Sequence, residues 1–257
     1  MGAVTGYLAG LLGIGGGMIQ VPFLSTLLVQ QGMRGELALK TAIATAMATI
    51  AFTSLSSVRA HHARGAVRWD IARTMAPGIL VGGLLSGAGL FALIRGPALG
   101  IVFALFIGYS ATQMLLDRKP RAARPLPGPV GLGAVGTGIG ALSSLVGAGG
   151  AFLSVPFMTW CNVPIHHAVG TAAALGFPIA LASTLGYVIG GWSLPPSLPG
   201  AVGYLYLPAL AVVAAASVLV APLGARTAHA TDVRTFKRLF AVLLYAVAGY
   251  MVWRGFA

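Results

Sequence analysis

The residues best able to do chemistry in this chain are glycines. Gly13, Gly15, Gly16 and Gly17 form one cluster, and Gly147, Gly149 and Gly150 form another. Val21-Pro22-Phe23 follows the first and Val155-Pro156-Phe157 the second. Each glycine costs a continuous helix about 1 kcal/mol relative to alanine. Proline lacks an N–H and pushes the residue before it towards extended geometry. Each cluster therefore predicts a broken helix. A half-helix that starts after such a break offers free N–H groups and the positive end of its dipole, and both favour an anion. Gln20, Thr41, Thr45, Ser154 and Thr171 add neutral polar groups, and Lys40 adds a charge. The expected substrate-binding set is Gly13, Gly15, Gly16, Gly17, Gln20, Lys40, Thr41, Thr45, Gly147, Gly149, Gly150, Ser154 and Thr171. Competing uses exist for each type. Glycines such as Gly6/Gly10 and Gly83/Gly87 suit close helix packing. Hydroxyls can bond their own helix. Lys40 can snorkel or pair with Glu36, four residues earlier.

Other chemistries lack their residues. Cys161 is the single cysteine, so neither an intramolecular disulfide nor a multi-cysteine metal site is available. The four acids, Glu36, Asp70, Asp117 and Asp232, sit in or beside connectors, which leaves no carboxylate relay inside an apolar run. His166 and His167 are the candidates for carrying a proton, whereas His61 and His62, flanked by Arg59 and Arg64, read as topology anchors. Ser143, Ser144 and His166 have no recognisable protease arrangement. Gly131 to Gly136 matches GxGxxG, but no strand precedes it. There is no Walker A sequence. No metal or cofactor is expected.

The elements that must position these residues are set by composition. Of 257 residues, 57% are hydrophobic and 8% charged. Soluble domains carry about a quarter charged residues, so this chain must face lipid. Apolar runs cover approximately 3–28, 38–58, 71–94, 97–116, 130–160, 168–191, 203–223 and 236–253. The net charge of +12 falls mostly in short connectors, as in membrane topology determinants, and not on a basic stripe for nucleic acid. The start of the chain lacks a basic signal-peptide region, so the first run is expected to persist.

The connector 117–129 divides two similar halves, 1–116 and 130–257. The Val-Pro-Phe motifs are offset by 134 residues, Thr41 and Thr171 by 130, and Pro77 and Pro208 by 131. Duplication with paired breaks is the pattern of secondary transporters. Eight simple crossings would put the basic connectors at 59–68 and 226–238 on opposite sides. If the runs 3–28 and 130–160 re-enter, those connectors and the 117–124 linker share the cytoplasmic side, as the positive-inside rule requires. The expected fold is all-α and polytopic, an inverted repeat with three spans and one broken re-entrant helix per half. Eight simple spans is the alternative.

These features resemble a known family. GIGGGMIQVPFL (Gly13 to Leu24), GAGGAFLSVPFM (Gly147 to Met158) and LSSVRAHHARGAVRWD (Leu55 to Asp70) are similar to the sulfite exporter TauE/SafE, or TSUP, family of membrane transporters. The resemblance covers nearly the whole chain. It implies a bacterial cytoplasmic-membrane exporter of small anions such as sulfite or organosulfonates, with lipid and a small anion as its partners. One departure is Lys40-Thr41, where the second half keeps the family's usual Gly170-Thr171. A non-transporting membrane scaffold and a membrane enzyme are the rival readings.

Overall fold

The computed structural model describes residues 2–12, 16–116, 124–195, 198–230 and 233–256. Gly13, Gly15, most of the 117–129 linker and Asp232 lie outside the described residues. The first half contains α1 (Gly2–Leu12), α2 (Gly17–Gln30), α3 (Gly35–His62) and α4 (Trp69–Leu85). α4 continues through a π-helical turn (Ser86–Leu90) into α5 (Phe91–Leu93), and α6 (Gly96–Leu116) follows. The second half contains α7 (Pro129–Val146), α8 (Ala151–Trp160), α9 (Ile165–Gly190), α10 (Leu207–Ala230) and α11 (Val233–Phe256). A small hairpin, β1 (Ala201–Val202) and β2 (Leu205–Tyr206), joins α9 to α10.

Five described segments are long and apolar enough to cross a membrane: Gly35–His62, Trp69–Leu93, Gly96–Leu116, Pro129–Val146 and Ile165–Gly190. About 20 helical residues cover the ~30 Å hydrocarbon layer. Large apolar side chains point outward, among them Leu85, Leu105, Val130, Val212, Leu219 and Val242. Small residues and hydroxyls fill the inside, where Thr41, Thr45, Thr49 and Thr53 form a buried four-residue ladder down α3 between alanines. This is an all-α, multi-pass membrane protein, packed by small residues because lipid provides no hydrophobic drive between helices.

Close glycine approaches fix the helix directions. Gly78 meets Gly133 and Gly82 meets Thr137, so α4 and α7 run the same way. Gly83 meets Ala182 and Gly87 meets Gly186, so α9 runs with them. Gly176 meets Ser54 and Gly170 meets Ala66, so α3 runs against α9. Since α7 and α9 share a direction, α8 carries the chain back between them. α2 likewise runs against α3, starting beside Ile50 and ending at the turn before Gly35. Eight simple crossings would put the connectors 63–68 and 161–164 at opposite ends. Here they adjoin: His167 Nδ1 lies 3.2 Å from the Ala66 carbonyl, and the Arg68 amide donates to Thr171 Oγ1 at 3.0 Å. The packing is also reciprocal. α4 lies on α7 and α1 on α10, while α3 lies on α9 and α6 on α11.

The prolines behave differently from the expectation. Pro22 and Pro156 lie inside α2 and α8, which start after Gly16 and Gly150. Each proline is the sixth residue of its helix, so the N–H it lacks forfeits only a bond to the first turn. Packing against α3 and α9 keeps the rest helical, as tertiary burial commonly overrides propensity.

Candidate functional site

α2 starts after Gly16 (φ 69°) and α8 after Gly150 (φ 76°). Both are in the left-handed region that a Cβ disfavours. The space is also closed to a side chain. A Cβ on Gly16 would lie 2.8 Å from the Thr5 carbonyl, and one on Gly17 would overlap the carbonyl of Gly147. The two breaks therefore touch. Ile50 bridges them, its side chain 3.1 Å from the Cβ position of Gly17 and 3.3 Å from that of Gly149. Gly147 is packed against Ile43 and Val21. Ile50 lies near the middle of α3, and Ile179, which borders Gly150, near the middle of α9.

The backbone at these breaks offers donors. At α8 the amides of Leu153 and Ser154 bond the Gly150 carbonyl at 3.0 and 2.8 Å. The preceding amides, of Ala151 and Phe152, have no backbone acceptor among the described residues, as expected for the first turn of a helix. At α2 the amides of Ile19 and Gln20 bond Gly16. The Gln20 Nε2 donates to Thr5 Oγ1 at 3.0 Å, and Thr5 Oγ1 donates to the Gly2 carbonyl at 3.1 Å. Gln20 Oε1 is buried and has no partner among the described residues. Ser154 spends its hydroxyl on the Gly150 carbonyl at 3.0 Å.

The remaining expected residues stand away from the breaks. Thr45 Oγ1 accepts from the Tyr206 amide at 3.1 Å, and Thr171 Oγ1 accepts from Arg68. Each thus holds the last connector amide before a span, α10 in one case and α4 in the other. Thr41 and Thr171, paired by the sequence offset, do not meet. Antiparallel α3 and α9 put them about 25 Å apart along the bundle. Lys40 is buried and does not snorkel. Its Nζ donates to the Ala92 carbonyl at 3.1 Å, lies 3.9 Å from Glu36 Oε1, and sits 5.7 Å above the Tyr204 ring. Burial pushes the Tyr204 phenol up, with Glu36 adding to the effect, so that ring stays neutral. Glu36 also accepts from the Gly96 amide at 2.8 Å.

Sequence reading missed Thr5, Ile50 and Ser143 as neighbours of the breaks. Ser143 was weighed only as a nucleophile, and α9 separates it from His166 by roughly 20 Å. The four-residue spacing of Thr41 and Thr45 continues to Thr49 and Thr53, a signal present in the sequence but not followed.

Comparison with known proteins adds an independent line. The family model described as Sulfite exporter TauE/SafE matches residues 1–251. A "Probable membrane transporter protein" of Haemophilus influenzae is 35% identical over 253 residues, covering 96% of this chain and 94% of that protein. The "Probable membrane transporter protein YdhB" of Bacillus subtilis is 28% identical, covering 74% and 77% respectively. The "Probable membrane transporter protein MJ0441" of Methanocaldococcus jannaschii is 27% identical, covering 80% of each chain. No solved structure matches.

Proposed function

The chain belongs to the sulfite exporter TauE/SafE family of membrane transporters, and from that premise we propose that it is a secondary exporter of small anions such as sulfite or organosulfonates. The observation that carries the proposal is the meeting of the two glycine breaks around Ile50. Half-helix ends at mid-membrane depth are the usual seat of substrate in such transporters. Their amides supply positive potential without the desolvation cost of a buried full charge. The only ion pairs among the described residues are Lys40–Glu36 and Arg68–Asp70, so neither break is neutralised by a carboxylate in such a pair.

In this reading Gly16, Gly17, Gly147, Gly149 and Gly150 shape the anion seat together with Gln20, and Gly13 and Gly15, outside the described residues, are included on the sequence alone. Ser154 supports it from the first turn of α8, while Lys40, Thr41, Thr45 and Thr171 stand farther off in the helices that frame it. The two halves, 1–116 and 130–257, are an inverted repeat joined by the 117–129 cytoplasmic linker. The antiparallel course of α3 and α9 supports this, because equivalent helices of an inverted repeat run in opposite directions. We place the chain in a bacterial inner membrane, and the basic connectors support an orientation with residues 59–68 inside.

The test is flux by the purified protein in liposomes, using sulfite, ethanesulfonate and choline. Sulfite or ethanesulfonate should move faster than through empty vesicles, and choline should not. Folded protein that moves neither anion overturns the proposal.

A further inference from the structure

Many buried hydroxyls on these helices are spent on the helix that carries them, and others, such as Ser86, Ser144 and Ser217, on a neighbouring helix. Ser25, Thr49, Thr53, Ser54, Ser110 and Ser154 each donate to a carbonyl three or four residues back. Ser143 does not. Its side chain is wholly buried, and its Oγ has no partner among the described residues. Buried polar groups without partners are rare, because each forfeits a hydrogen bond that water would have supplied.

The position of this hydroxyl gives it a use. Ser143 Oγ lies 3.4 Å from where a Cβ of Gly150 would be. Gly150 is the residue from which α8 starts, and the unpaired amides of Ala151 and Phe152 follow it. The other neighbours of that point are apolar: Ile139 at 3.5 Å, and Ile179, whose terminal methyl group overlaps it and must shift to admit a ligand on that side. The hydroxyl and the amides thus make a small group of donors with apolar walls. Such a group suits an oxyanion, whose oxygens accept several hydrogen bonds, and holds no carboxylate that would favour a cation. The first half has no counterpart, since the offset of 134 puts Ala9 opposite Ser143.

We propose that Ser143 is a further substrate-binding residue, donating its hydroxyl to one oxygen of a small oxyanion held at the start of α8. This rests on the transport reading and makes the seat asymmetric: the second half binds the oxyanion head and the first half closes over it. The Ser143 carbonyl already accepts from Ala148 at 3.3 Å, so backbone and side chain of one residue serve the same break.

The experiment compares wild type, Ser143→Ala, Ser143→Cys and Ser110→Ala in sulfite-loaded liposomes, and measures Tm in detergent with and without sulfite. Loss of one hydrogen bond to a charged ligand should raise the KM for sulfite about tenfold or more in Ser143→Ala. The rise should be smaller in Ser143→Cys, which is close in size but a weaker donor. Ser110→Ala, on α6, should keep the wild-type KM. The Tm of ligand-free Ser143→Ala should stay level or rise, since no bond is lost, while the Tm gain from sulfite should shrink. A Ser143→Ala protein with wild-type KM and wild-type sulfite-induced Tm gain overturns the proposal and leaves the transport reading intact. So does a lower ligand-free Tm with unchanged KM, which assigns Ser143 to packing. A wild type that moves neither sulfite nor ethanesulfonate removes both readings.

Discussion

Gly17→Ala is the sharpest probe of the contact between the breaks. Inside a helix the change ordinarily gains up to about 1 kcal/mol. Here the new methyl group overlaps the Gly147 carbonyl. That carbonyl is backbone and cannot rotate away, and Gly147 is itself backed by Ile43 and Val21 at 3.1 and 3.5 Å. Forcing a methyl group into a packed site costs about 1–3 kcal/mol. The balance is a loss of up to ~2 kcal/mol. At about 2–4 °C per kcal/mol for a chain of this size, Tm should fall by a few degrees. The carbonyl must also move by roughly 1 Å to restore a normal contact distance. A displacement of that size in a preorganised site costs much of its function, so sulfite flux below saturation should drop by about tenfold or more. Gly108→Ala on α6 is the matched control. Nothing lies within 4 Å of its Cβ position, so it should be neutral or slightly stabilising and leave flux unchanged. The assay is thermal unfolding in detergent alongside liposome flux. If Gly17→Ala matches Gly108→Ala in both, the two breaks do not touch and the reasoning fails.

Three further predictions concern topology and support. Cysteines replacing Arg64 and Arg238 should react with an impermeant label from the cytoplasmic side, and one replacing Trp192 from the other side; labelling of 64 and 238 from opposite sides would restore eight simple crossings. Lys40→Met should lower Tm by roughly 3–10 °C by stripping the Ala92 carbonyl of its charged donor, with little change in sulfite KM; a tenfold KM rise instead would make Lys40 a ligand. Thr171→Val should cost about 1–2 kcal/mol by leaving the Arg68 amide unpaired, and Thr171→Ser should recover most of it; equal Tm values for both variants would show that the bond contributes nothing.

The breaks were legible because glycine acts locally. Gly16 and Gly150 adopt a backbone that the sequence could name without knowing what surrounds them. The helical course through Pro22 and Pro156 was not legible, because burial against α3 and α9 decides it. Thr41 and Thr171 show a different limit. The offset pairs them in the sequence, but a match in sequence is not proximity. When two equivalent helices cross antiparallel, only residues near the crossing come together, and those further out diverge with every turn. Ile50 and Ile179 lie near the crossing, whereas Thr41 and Thr171 lie towards the starts of their helices. Sequence periodicity carries no mark of where two helices cross.

The reciprocal packing also explains why the glycines extend well beyond the breaks. α7 ends at the Gly147 turn and cannot bury its sides against its own short return, α8. It lies on α4 instead, from the other half, with Gly136 against the Met75 carbonyl and Gly140 against that of Ile79. α1 lies on α10 in the corresponding way, with Gly6 against the backbone of Ser217. Contacts between backbones leave few rotamers to rearrange, so each broken helix is held by a seam with little play. Only a support of that kind can keep unwound amides aimed at one point while their hydrogen-bonding capacity stays open to a ligand. If the breaks seat the anion as proposed, the packing of α7 on α4 and of α1 on α10 supplies the rigidity that makes their chemistry usable.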